Sequence, residues 1–174
     1  LTIKNSNPRY QANVQTYTFS KGGRKIYDIV FQVSNHDIAF KYRVYSQDNI
    51  LCCIVKKEAT GFMLPEGSTT FLCPQAAPMG GFARTSPSYE TSYTVDDVTG
   101  KNGWGNGYTF PCLFKNEDKG WILISETGVS SAYCGSRLLG KENGLYTIGF
   151  PQEGEYNGNG TVSPGIALPG ETPW

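Results

Sequence analysis

His36 is the only histidine, and Cys52, Cys53, Cys73, Cys112 and Cys134 are the only thiols, so nucleophilic and metal chemistry start from a small stock. His36 lies in a polar bridge between two apolar runs and reads as a solvated turn residue; no Ser-His-Asp or Cys-His pairing can be assembled around it. The cysteines show neither a paired CxxC spacing nor a regular framework, and an odd count leaves at least one unpaired. All except Cys73 sit in or beside apolar runs, where a reduced thiol behaves as a small buried hydrophobe. Zinc is disfavoured and mostly free thiols are expected. Gly100-Lys101-Asn102 fails as a phosphate loop, because the pattern Gly-x4-Gly-Lys-Ser/Thr meets Val95 and Asn102 at its required Gly and hydroxyl positions. Glu153, Glu155, Asn157 and Gly158 imitate the opening of a calcium loop, but its twelfth position falls on Pro164, which favours an exposed polar loop. Asn159-Gly160-Thr161 is a formal glycosylation triplet of a kind that arises often by chance.

Aromatic residues offer a different chemistry. Trp104, Tyr108, Tyr89 and Tyr93 could stack on sugar rings, whose C–H faces are apolar while their hydroxyls need hydrogen bonds. The run Gly103-Trp104-Gly105-Asn106-Gly107 would leave the indole exposed on a loop. A sugar platform and a ring packed at a sheet edge or domain interface both fit this pattern.

A chain of 174 residues suits one all-β domain with a sizeable core. Hydrophobic residues make up 39%, and 11 Tyr and 9 Phe add ring surface, which excludes a disordered polar chain. Lys and Arg number 15, as do Asp and Glu, so no charge excess points to nucleic acid or an anionic membrane. No apolar stretch reaches the roughly 18 residues of a membrane span. The 21 Gly and 10 Pro are scattered as punctuation, implying many turns.

The elements follow from periodicity. Tyr27, Ile29, Phe31 and Val33 alternate with Asp28, Val30, Gln32 and Ser34, and Ile38, Phe40, Tyr42 and Val44 repeat the pattern. Ser34-Asn35-His36-Asp37 between them suits a four-residue hairpin loop. Ile50 to Val55 reads as a buried strand. Phe62 to Leu64 and Thr69 to Cys73 flank the turn Pro65-Glu66-Gly67, which predicts a second hairpin. Further strands are predicted near Tyr89 to Val95, Tyr108 to Phe114, Trp121 to Glu126, Ser131 to Leu138 and Leu145 to Phe150, with Asn116 to Gly120 as a polar turn. No window sustains helical spacing. The fold class is all-β, a large antiparallel β-sandwich spanning residues 1–174 as a single domain.

Several of these segments together resemble the N-terminal region of glycoside hydrolase family 97, bacterial enzymes known mainly from Bacteroidetes. The resemblance runs through Asp28 to Val44, Tyr89-Glu90-Thr91-Ser92-Tyr93, Phe110 to Phe114 and Trp121 to Glu126, and ends with Ser163-Pro164-Gly165 and Glu171 to Trp174. It implies a galactose-mutarotase-like β-supersandwich packed on a catalytic (β/α)8 barrel that carries both catalytic carboxylates, so this chain would cleave no glycosidic bond alone. It also implies one metal ligand. The family binds calcium near its active site, and the sandwich supplies a carboxylate from a strand end resembling Ile124-Ser125-Glu126-Thr127, which makes Glu126 that ligand. The plainer alternative is a strand-end Glu that hydrogen-bonds the following turn. Tyr89, Glu90 and Trp104 are further candidates for lining the substrate cleft from the sandwich side.

The expected role is thus an accessory domain of an α-glucosidase or α-galactosidase, periplasmic or extracellular, with the barrel of the same polypeptide and a carbohydrate substrate as partners. Its abrupt Pro173-Trp174 end suggests a boundary inside a longer protein, and an apolar patch around Trp174 and the Gly-rich loops could support a homodimer. A free-standing carbohydrate-binding module built around Trp104 is the alternative, and would bind a glucan or galactan by itself. A sugar epimerase needs a His-and-carboxylate pair, which the single His36 disfavours.

Overall fold

The computed structural model describes residues 9–47, 53–55, 57–75, 92–103, 107–130, 136–150, 166–168 and 170–171. The chain divides into two compact units, one formed by Leu1–Cys53 with Leu168–Trp174 and the other by Ile54–Ala167.

In the first unit, β1 (Asn13–Lys21), β2 (Arg24–Val33), β3 (Ile38–Val44) and β13 (Gly170–Glu171) form a sheet in that order. The hairpin joining β1 to β2 turns on Gly22 and Gly23 with φ of 58° and 79°, the positive values that a two-residue loop with the right twist requires. β1 is an element beyond those predicted from periodicity, and the alternation of Tyr17 and Phe19 with the Gly22-Gly23 pair is its signal in the sequence. The predicted loop between β2 and β3 is present. Ser34 N–H donates to Asp37 O at 2.9 Å, while the Ser34 hydroxyl accepts from the N–H groups of His36 and Asp37, and Val33 pairs with Ile38 across its base.

Register places Tyr17, Phe19, Tyr27, Ile29, Phe31, Phe40 and Tyr42 on one face. Phe19 stacks on Tyr27 at 4.6 Å and Phe31 meets Phe40 at 5.8 Å. The opposite face holds the unit's most buried positions, Asp28 and Val30. The burial of a carboxylate is explained by its partners: Tyr45 donates its hydroxyl to Asp28 Oδ2 at 2.5 Å, and Arg43, directly across the β2–β3 pair, brings its guanidinium to 3.9 Å.

The second unit contains all but Cys53 of β4 (Cys53–Val55), β5 (Gly61–Met63), β6 (Ser68–Pro74), β7 (Thr94–Val98), β8 (Tyr108–Asn116), β9 (Gly120–Ile124), β10 (Arg137–Gly140), β11 (Leu145–Gly149) and all but Leu168 of β12 (Ile166–Leu168). β4 pairs with β12, and the other strands form a sheet in the order β5-β11-β10-β8-β6-β7, with β9 on β8. Its registered ladders are antiparallel. Among the described residues the helical content is one 3₁₀ turn, Glu142–Gly144. The expected all-β, antiparallel β-sandwich class is borne out.

One expectation is corrected. β5 and β6 do not pair as a hairpin, although the turn between them forms, with Ser68 N–H donating to Pro65 O and Gly67 at φ 78°. Leu64 N–H instead donates to Gly144 O, and β5 lies against β11 with Phe62 opposite Tyr146. Burial accounts for this pairing: from that edge Leu64 joins the core and Phe62 packs against it. Predicted residues 50–52, 89–91 and 131–135 lie outside the described residues, as do the surroundings of Trp174.

The core consists of Leu64, Leu72, Tyr108, Cys112, Phe114, Leu138 and Tyr146, with Phe62, Phe110, Ile122, Ile124 and Ile148 packed against it. Even-numbered residues of β8 and β9 face it, while Trp121 and Leu123 on the other side of β9 remain exposed. Cys73 and Cys112 are buried free thiols, including the one cysteine that its neighbours in sequence did not mark as buried. Burial, helped by the proximity of Cys73, pushes the Cys112 thiol up to about 12.

Candidate functional site

Glu126 follows β9 and is half-buried. Its position is set by how two strands share one side of β8. β9 pairs with Ile124 opposite Cys112, and β10 with Leu138 opposite Tyr108. Continuing each ladder by two residues brings Glu126 and Ser136 to the same level of β8, opposite Phe110. The Ser136 hydroxyl accordingly donates a hydrogen bond to Glu126 Oε1. This contact joins the end of β9 to the start of β10.

The same row continues across the sheet. Arg137 pairs with Gly149 and Thr147 with Gly61, so one further step places Ser136 level with Phe150 and three steps place Phe150 level with Glu58. The N–H of Ile148 donates to Thr60 O at 3.2 Å and holds that segment on β11. Thr60 donates its hydroxyl to Glu58 Oε1. Burial raises the Glu58 carboxyl above the ordinary range, the Thr60 hydrogen bond opposes this, and the charge of Glu126 adds to the rise. Two carboxylates and two hydroxyls thus lie toward one end of the sheet, near enough for the Glu126 charge to act on Glu58.

Their chemistry is that of hard oxygen donors. A divalent cation such as calcium accepts carboxylate and hydroxyl oxygens, but takes about six to eight of them. Among the described residues no group of three or more His, Cys, Asp and Glu gathers at one point. The described carboxylates by themselves do not make up such a shell.

Other sequence candidates fare differently. Tyr89, Glu90 and Trp104 lie outside the described residues, as do Glu153, Glu155 and Asn157. Tyr93 stacks on Phe71 at 5.0 Å and is half-exposed. Tyr108 is not a surface platform; it is buried at 2% exposure, and its hydroxyl accepts from Gly103 N–H at 2.8 Å. Gly100-Lys101-Asn102 is tied into the sheet: Gly100 N–H donates to the Tyr146 hydroxyl at 3.0 Å, and Gly140 N–H to Asn102 Oδ1 at 2.9 Å. Glu58, Thr60 and Ser136 were not foreseen, because no sequence spacing links positions so far apart; the strand pairing alone makes them neighbours.

The profile of the family described as Glycosyl-hydrolase 97 N-terminal matches residues 1–174. The chain belongs to the glycoside hydrolase family 97 N-terminal family. This family 97 domain is similar to a solved β-arabinopyranosidase, with 50% identity and a TM-score of 0.85 over 99% of this chain and 28% of that one. It also shares its fold with a family 97 enzyme from Pseudoalteromonas sp. strain K8 in complex with acarbose, at 22% identity and a TM-score of 0.67 over 95% of this chain and 23% of that one. The domain thus spans about a quarter of each of these solved relatives. Among curated proteins nothing matches.

Proposed function

We propose that this family 97 domain is the non-catalytic N-terminal part of a longer α-glycosidase, which packs on a catalytic (β/α)8 barrel and lends Glu126 to a calcium ion near the active site. The observation that carries this reading is the 50% identity to a β-arabinopyranosidase across 99% of the chain, which accounts for 28% of that enzyme. Hydrolysis by two flanking carboxylates is assigned to the barrel. Bound calcium would supply a fixed positive charge; Glu126, held by Ser136, would present one carboxylate to it. The protein would work in the periplasm or outside the cell.

The relative's substrate narrows the expected glycosides. An arabinopyranoside of the β-L series would have the ring stereochemistry of an α-D-galactoside that lacks its hydroxymethyl group, which supports the galactoside-type arm over the glucoside-type arm. A pocket with no hydroxymethyl site would separate the two sugars by steric exclusion.

The test compares the complete polypeptide with residues 1–174 on nitrophenyl β-L-arabinopyranoside, α-D-galactopyranoside and α-D-glucopyranoside. Hydrolysis by the complete protein alone, lost on calcium removal and weakened by Glu126→Ala, is the expected outcome. Turnover by residues 1–174 would overturn the assignment, and tight glucan or galactan binding by them would favour the binding-module alternative.

A further inference from the structure

We infer that Ser136 is the positioning residue that orients the Glu126 carboxylate for the metal, an inference that rests on the calcium reading above. A carboxylate side chain at a strand end has three rotatable bonds and no ladder to direct it. Binding a cation with a freely rotating ligand costs the entropy of ordering that side chain. The fold removes this freedom before any metal arrives. β9 and β10 meet β8 from the same side and converge on the level of Phe110, and there the Ser136 hydroxyl donates to Glu126 Oε1. Oε1 is thereby occupied on one lone pair, and among the described residues no hydrogen bond engages Oε2, so that oxygen keeps its lone pairs for a cation.

Ser136 is itself held in place. The next residue, Arg137, is buried and begins β10 in register with Gly149, so the backbone carrying the hydroxyl is anchored by a core strand. Glu58 gives the arrangement a second purpose. Two carboxylates at the same sheet end repel, and a Glu126 free to swing would turn away from Glu58 and from any shared cation. The serine hydroxyl and the Thr60 hydroxyl, each donating to one of the two carboxylates, hold both against that repulsion. Ligand-orienting hydrogen bonds of this kind change metal affinity without touching the metal.

The experiment titrates calcium alone, by calorimetry, into the chelator-treated complete polypeptide and its Glu126→Ala, Ser136→Ala, Ser136→Cys and Ser136→Thr variants. The thermal midpoint of each calcium-free protein is recorded beside the titration. Ser136→Ala is expected to weaken calcium binding by about 10-fold or more, within the roughly 10–100-fold span of ligand-orienting partners. Ser136→Thr should retain the native affinity because it keeps the hydroxyl. Should the alanine variant fail to fold, the cysteine variant, of nearly the same size and with a weak donor, reads the same loss. Unchanged affinity in the Ala and Cys variants, with Glu126→Ala still weakening binding, would overturn the positioning role and leave the calcium reading standing. Unchanged affinity in Glu126→Ala would overturn the calcium reading itself.

Discussion

Among the described residues, Tyr45 and Asp28 form a pH-dependent pair. The Tyr45 hydroxyl chiefly, then Thr18, holds the Asp28 carboxyl below the ordinary carboxylate range, with the charges of Lys25 and Arg43 adding to the effect and burial opposing it. A group whose folded pKa is depressed contributes stability above its unfolded pKa and loses it as pH falls through the folded value. Tyr45→Phe removes the first cause, so it should lower stability more at pH 7 than at pH 3, flattening the acid limb. Urea denaturation midpoints at the two pH values measure this, and an equal loss at both would contradict the role given to the hydroxyl. Cys112 calls for a different measurement. Its thiol, pushed up to about 12 by burial, is about one part in ten thousand thiolate at pH 8, and the thiolate is the nucleophile. Peptide mapping after iodoacetamide treatment should find Cys112 unlabelled in the native protein and labelled in denaturant; native labelling would mean that the core opens locally.

Elements rather than single residues govern the loop from Thr99 to Gly103. It lies against the turn that follows β10, so that a Cβ on Gly140 would stand 1.6 Å from Lys101 O and 2.9 Å from Gly100 O. Backbone atoms cannot yield as a flexible side chain can, and Gly140→Ala should destabilise the protein by about 1–3 kcal/mol or more, the usual range for overpacking. Tyr146→Phe acts on the same loop from the core side, stranding the Gly100 N–H at a cost of about 1–3 kcal/mol. Chemical denaturation measures both. If Gly140→Ala were neutral, the close approach of loop and strand would be wrong. The Gly100-Lys101-Asn102 run, which lacks the Gly and hydroxyl positions of a phosphate loop, serves here as a packing device. The β5–β6 turn teaches the complement: turn residues specified the bend correctly, yet hydrophobic burial sent the two strands to different places in the sheet.

Across the whole molecule, burial is uneven. The packed cluster from Leu64 to Tyr146 lies in the second unit, whereas β1 exposes every residue and forms a sheet edge. Hydrogen exchange followed by mass spectrometry should therefore find β8, paired on both sides, slowest and β1 fastest among the strands; slow exchange throughout β1 would show that the edge is protected. Sequence alone determined the all-β class, the hairpin around Ser34 to Asp37, the turn from Asn116 to Gly120 and the family resemblance. These depend on side-chain alternation and local turn chemistry, which act over a few residues. It also pointed to Glu126, through the resemblance and not through any spacing. What tertiary structure decided was which strands pair and which distant residues share a row: β5 with β11, Tyr108 inside the core, and Glu58, Ser136 and Glu126 at one sheet end. Strand order is chosen by the burial each partner offers and by ladder register over long separations, and neither quantity is written in any short stretch of sequence.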